Sequence, residues 1–321
     1  MAGISVAARA RALKLRESSM FRRFYRDRYY LALLLPGIAY FVIFQYIPIY
    51  GLQVAFKDFS FRGGILGSPW AEQFGMANFI RFFSVYNVGR LIANTFLLNL
   101  YSLLFAFPVP IVLAIMLHES PSAPFRRSIQ TVTYLPNFIS IVAIIGIMRM
   151  MLSPGSGSVN RLLGLVGVEP IYFMIEPGWF RPLYVMSGIW QTAGFGAIVY
   201  LAALASINPE LYEAAIIDGT GRIQRIWHVS IPGILPVVAI LFIFNMGSLL
   251  SSGFEKVLLM QHGTNMEVSD VIGTFIYRVG LTTVGNYDLA AAVGLFNTVI
   301  NFALLVTANA VVRRVAGTGL W

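Results

Sequence analysis

Long apolar stretches alternate with short polar ones along the whole chain, and the apolar stretches exceed what a buried helix of a soluble domain needs. A helix crossing the ~30 Å hydrocarbon core of a bilayer takes about 20 predominantly apolar residues. Six runs reach that length with few charges, at residues 30–56, 91–117, 129–152, 183–207, 231–250 and 289–312. The pattern predicts an all-α integral membrane protein with six transmembrane helices and both termini on one side. It also divides the chain into a basic tail (1–29), a spanning domain (30–312) and a short tail (313–321). The loop at 208–230 separates the fourth and fifth runs.

Composition agrees. Of 321 residues, 57% are hydrophobic and 12% charged, too little charge to coat a water-exposed surface of that size. The charge that remains fixes an orientation. Eight basic residues fall in the first 28 (Arg9, Arg11, Lys14, Arg16, Arg22, Arg23, Arg26, Arg28), against four in the longer loop that follows the first run. By the positive-inside rule both termini are cytoplasmic, and membrane lipid accounts for the net charge of +9 without invoking nucleic acid. The first apolar run is too long for a secretory signal and reads as an uncleaved span. The alternation of Arg with Ala, Leu and Phe before it permits a helix lying on anionic lipid.

Several chemistries are excluded by absence. Without cysteine there are no disulfides, thiolate metal sites or cysteine nucleophiles. None of the three lysines sits in a Walker A loop, so this chain has no ATP site of that kind. His118, His228 and His262 fall in different loops, and Glu169 with Glu176 lies in a short loop with no domain to shape a cleft, so neither a metal site nor a glycosidase pair is expected. No cofactor is expected. Prolines are dense within the runs (Pro36, Pro48, Pro108, Pro110, Pro136, Pro232, Pro236). Each removes a helix hydrogen bond, which a moving pathway uses and a passive anchor does not.

The 208–230 loop reads as a short helix with its punctuation in place. Asn208 suits the N-cap, Pro209 the first helical position, Glu210 and Glu213 the positive end of the dipole, and Gly219 or Gly221 the terminus. Glu213-Ala214-Ala215, three residues, Gly219, nine residues and Val229-Ser230-Ile231-Pro232 resemble the signature of permease subunits of binding-protein-dependent ABC importers. Leu34-Leu-Pro-Gly, Phe44-Gln-Tyr-Ile-Pro-Ile-Tyr-Gly51, Tyr134-Leu-Pro-Asn-Phe-Ile-Ser140 and Gly253-Phe254-Glu255 are similar to the polysaccharide and oligosaccharide (alginate, rhamnogalacturonan-type) permeases of that family.

The resemblance implies a type I importer permease fold in the bacterial inner membrane, forming half of a pore for an oligosaccharide. It implies a related second permease as a heterodimer partner, two ATPase subunits that hold the ATP and magnesium, and an extracytoplasmic binding protein. It assigns Glu213, Ala214, Ala215, Asp218 and Gly219 to coupling with the ATPase. Positions that contact sugar in the maltose permease of the same family fall on Thr133, Asn137, Gln191, Thr192, Phe195, Asn245 and Ser252, with Trp190 beside them as an aromatic platform. Aromatic faces and neutral hydrogen-bonding groups are what sugars need, although the same residue types also serve as interhelical hydrogen bonds and packing. An ion-driven secondary transporter is the alternative; it wants intramembrane Asp, Glu or Lys, and the runs hold almost none. A membrane-bound glycan enzyme wants a clustered acid, base or metal site, which the sequence does not offer.

Overall fold

The computed structural model describes residues 26–85, 87–251, 253–282, 286–317 and 319–320, so the basic tail before Arg26 lies outside the described residues. The described residues are helical apart from loops and one isolated bridge, Lys57 with Trp70. Five helices are long and apolar enough to cross a membrane: α1 (Arg28–Phe56), α3 (Val88–His118), α7 (Pro177–Ala205), α9 (Arg222–Gly247) and α13 (Tyr287–Ala316). Shorter helices fill the connections: α2 (Ala77–Phe83), α6 (Ser158–Leu165), α8 (Pro209–Ile217), α10 (Phe254–Met260), α11 (Met266–Ser269) and α12 (Ile272–Tyr277).

The third apolar run differs from the straight helix expected over 129–152. It is a pair, α4 (Ala123–Phe138) and α5 (Ile141–Met151), bent by 100° at the break. Pro136 cannot donate to the preceding turn, the chain tightens into a 3₁₀ turn over Leu135–Phe138, and Ile139 turns extended. Ser140 then starts a new helix, its hydroxyl accepting from the Ala143 N–H at 3.3 Å. Apolar character is continuous across the break, so composition alone hides it.

Three other prolines are absorbed without a break, by one device. Pro48, Pro108 and Pro232 each follow a π-turn, over Val42–Tyr46, Ser102–Ala106 and Ile226–Ser230. In each case the residue before the proline donates five residues back: Ile47 to Val42, Phe107 to Ser102, Ile231 to Ile226. Widening the turn removes the clash between the proline ring and the carbonyl four residues earlier, so the helix continues with a local irregularity.

Packing is unequal along the bundle axis. At the end opposite α8, called outer here, one cluster joins Leu98, Ile145, Phe180, Tyr184, Val257, Met260 and Val271, and a second joins Phe82, Leu91, Ile272, Phe275, Leu289 and Val293. The inner end has one smaller cluster, Ala114, Ala197, Tyr200, Leu204 and Ile234, where small residues let α3, α7 and α9 approach closely. The inner half of α3 lies along α7, α9 along α13, and α1 packs on α13 chiefly through its last turns, Tyr50–Phe56. None of the first 22 residues of α1, Arg28 to Ile49, is buried.

Candidate functional site

The inner surface is dominated by α8, which follows α7 after three residues and is closed at both ends by its own sequence. Asn208 Oδ1 accepts from the Glu210 N–H at 3.1 Å. At the other end Gly219 N–H donates to Ile216 and Thr220 N–H to Ala215, a Schellman cap, with Gly219 at φ +74°. A side chain at Gly219 would meet nothing within 4 Å, so glycine is required there for backbone conformation and not for space. A nine-residue helix with both ends satisfied holds its shape on the surface of the bundle.

Its two faces differ. Glu213, Ala214 and Asp218 are exposed, Ala215 is half-buried, and beside them Leu211, Ile216 and Ile217 expose 54%, 57% and 85% of their surface. That exposed apolar face was not anticipated from the sequence; the signal was three large aliphatics in a nine-residue surface helix. Tyr212 faces the bundle, its hydroxyl 3.0 Å from Ser230 Oγ and its ring 5.8 Å from the His118 ring. Glu119 pairs with Arg222 at 3.6 Å just beyond.

The predicted pathway residues separate onto two sides of α7. Thr192 and Asn245 line a cavity of about 350 Å³ between α3, α7 and α9, together with Asn99, Ser102, Tyr200 and Ser248. The side-chain donors of Asn99, Ser102, Thr192 and Asn245 go to carbonyls of their own helices, at 2.6, 3.0, 2.9 and 2.8 Å. Their acceptor oxygens have no partner among the described residues. Such a cavity presents neutral acceptors, together with the second amide N–H of each asparagine, to hydroxyl groups. Asn99 and Ser102 were not anticipated, because nothing in a single helix of the sequence shows which of its polar residues share a face with two others.

Gln191, Thr133, Asn137 and Phe195 lie on the other side, along the seam between α7 and the bent pair. Gln191 Nε2 donates to the Ile139 carbonyl freed by the bend, at 3.2 Å. Phe138 and Phe195 meet edge to face at 6.1 Å, and Asn137 is half-buried in the 3₁₀ turn. Thr133 bonds its own helix, and its carbonyl approaches so close to Gly194 that any side chain there would collide with it. Trp190 lines a separate, apolar cavity with Ile144, Met148 and Met186. Ser252 lies outside the described residues.

One cation sits near the outer end of this region. Lys256 of α10 is 8% exposed; its Nζ donates to the Tyr184 carbonyl at 2.7 Å and stands 4.5 Å from the centroid of that ring. Desolvation pushes its ammonium down from 10.5 to about 8. No group of three or more His, Asp or Glu suited to a metal occurs among the described residues.

Known proteins share both the fold and the sequence. Residues 106–317 match the family model described as binding-protein-dependent transport system inner membrane component. Protein LplB of Bacillus subtilis (strain 168) is 40% identical over 296 residues, 92% of either chain. The polygalacturonan/rhamnogalacturonan transport system permease protein YteP of the same organism is 38% identical, over 92% of this chain and 91% of its own. A chain of a bacterial alginate ABC transporter, crystallised in complex with an alginate pentasaccharide-bound periplasmic protein, superposes with a TM-score of 0.85 at 43% identity, covering 94% of this chain and 99% of that one. With the matched region running from the π-turn of α3 through α8 to the end of α13, the chain belongs to the family of binding-protein-dependent transport system inner membrane components.

Proposed function

We propose that this chain is the permease subunit of an ABC importer for oligosaccharides, forming half of the pore beside a related second permease, with both termini in the cytoplasm. Helix α8 seats in a cleft of an ATPase subunit: Leu211, Ile216 and Ile217 supply apolar contact, Glu213 a polar one, Ala214 and Ala215 a close approach, and Asp218 with Gly219 the fixed end. The exposed aliphatic face of a doubly capped surface helix is the observation that carries this reading, since a solvated loop has no use for it. Two ATPase subunits bind and hydrolyse Mg-ATP, and an extracytoplasmic binding protein delivers the sugar at the outer end. Sugar hydroxyls meet Thr192, Asn245, Asn99 and Ser102 on one side of α7, and Asn137, Thr133 and Gln191 with Phe195 and Trp190 on the other; Ser252 belongs to the same pathway. The names of two relatives, one for polygalacturonan and rhamnogalacturonan and one for alginate, make uronate oligosaccharides the first substrates to try.

The test is uptake into proteoliposomes holding both permeases and both ATPases, with the binding protein outside and ATP inside. Uptake of an oligogalacturonide or alginate oligosaccharide that stops when ATP is withheld is the expected result. Uptake that persists without ATP and collapses with an ionophore would make this a secondary transporter instead.

A further inference from the structure

Three segments far apart in sequence converge behind α8. His118 ends α3 and lies ring to ring with Tyr212 at an interplanar angle of 43°. The next residue, Glu119, keeps its side chain only 16% exposed and has one ionic partner among the described residues, Arg222 at the start of α9. Tyr212 directs its hydroxyl to Ser230, the last residue of the π-turn of α9. A carboxylate held this far from water with a single cation is no solvated surface charge; without that cation it is left uncompensated.

We propose that Glu119 and Arg222, with Tyr212 and His118 packed beside them, form a strut that carries displacement of α8 into α3. The proposal rests on the reading of α8 as the ATPase contact and adds a route into α3, which α8 reaches through the Tyr212–His118 ring contact and through Arg222, five residues beyond its last residue Ile217. The inner segment of α3, Pro108–His118, joins the outer segment through the π-turn Ser102–Ala106. There the hydrogen bonds run five residues back and Pro108 donates none, which makes the turn a natural pivot. Ser102, Leu103, Ala106, Phe107 and Pro110 at that pivot also wall the polar cavity. A push at Glu119 therefore turns a rigid lever of 11 residues about the point where α3 borders the cavity. Glu119 and Arg222 are positioning residues, acting on the pathway through α3.

The test uses the complete complex in proteoliposomes, with sugar transported per ATP hydrolysed as the readout. Glu119→Arg and Arg222→Glu are each expected to lower that ratio by about fivefold or more while hydrolysis continues, and the reversed pair carrying both is expected to recover it to within about twofold. A purely structural role would reduce the amount of assembled complex and leave the ratio alone; that result, or failure of the reversed pair to recover, overturns the strut. Glu213→Arg, on the docking face, separates the two readings. If it leaves the ratio unchanged, α8 is not the coupling element; if it lowers the ratio while the strut variants do not, only the strut fails. Should the charge variants fail to assemble, the natural absence of cysteine permits a second measurement. Glu119→Cys with Arg222→Cys, in an otherwise cysteine-free complex, is joined by a short thiol-to-thiol reagent. A strut that moves as one body transports at the same ratio after joining, and arrest of uptake would show that the two residues must part during the cycle.

Discussion

The outer and inner ends of the bundle are fastened by opposite means. The outer loops are pinned by buried asparagines that reach across the sequence to backbone groups. Asn78 donates to the Ala55 and Lys57 carbonyls, Asn94 to Glu267 and Asp270, and Asn265 to Met174 and Met260. Asn160 donates to Leu152, Ser153 and Ile171 and accepts from the Ile171 N–H. At the inner end α8 is satisfied by its own caps and touches the bundle through a ring contact and a hydroxyl pair, with the Glu119–Arg222 ion pair joining α3 to α9 just beyond it. Short polar amides in a dry interior lock loops to each other, because each broken bond strands a buried group. A capped helix with few outside contacts keeps its shape and stays free to move. On the function proposed above, the pinned end is the one that receives substrate and the loosely held helix the one that receives force.

This contrast breaks most visibly at Gly219. Valine there is forced to φ +74°, a conformation costing a β-branched residue ~1–2 kcal/mol or more. Gly219→Val should loosen the end of α8 and lower uptake by about tenfold or more, while the complex still co-purifies. Uptake at the level of the unaltered protein would refute the need for a defined α8. At the other end, Asn160→Ala strands the Leu152 and Ile171 carbonyls and the Ile171 N–H, the Ser153 carbonyl keeping the Gly157 N–H, and should cost ~3 kcal/mol of stability. The loss is read as a fall in thermal midpoint in detergent, with sugar per ATP unchanged in the complexes that survive.

The two sides of α7 give smaller and distinguishable effects. Asn245→Ala removes a group that bonds only its own helix, and should lower uptake about threefold with no change in thermal midpoint. Gln191→Ala should lower both, since its amide also holds the Ile139 carbonyl. In neither case is the ATPase response to the loaded binding protein abolished.

Lys256 gives the smallest effect. Its ammonium titrates near 8 when folded and near 10.5 when unfolded, so between those values the unfolded chain binds more protons and stability rises with pH. Lys256→Met should abolish that rise and raise stability at pH 7 by ~1 kcal/mol, measured as thermal midpoint against pH. An unchanged rise would assign it to other groups.

What was legible in the sequence was local. The caps of α8 are written in adjacent residues, and both the Asn208 bond and the turn at Gly219 stand where those residues indicate. Five of the six apolar runs are single helices for the same reason: continuous apolar character over one bilayer thickness leaves few alternatives. The break at Pro136 was not legible, because Pro48, Pro108 and Pro232 look the same in sequence and are absorbed by π-turns. What differs is Ser140, a capping residue four positions on, acting with the proline. Gln191 and Thr192 are neighbours in the chain yet face different partners, because successive residues of a helix point about 100° apart. The Glu119–Arg222 pair joins two loops through the packing of three helices, and no local pattern announces it.

The bend between α4 and α5 also says something about the surroundings. The pieces have 16 and 11 residues, about 24 and 16 Å of helix, and neither alone crosses ~30 Å of hydrocarbon. As a broken span or as a re-entrant turn, the pair places its kinked stretch at membrane depth, with peptide groups that acyl chains cannot solvate. One of them, at Ile139, is met by Gln191, but Phe138 beside it is 75% exposed on the isolated chain. Acyl chains accommodate that ring but not the orphan N–H groups that begin α5, which need water or another polypeptide. Viewed down the bilayer normal, the perimeter of this subunit has one sector closed to lipid, and a solitary copy dissolved in a membrane would be an incomplete object.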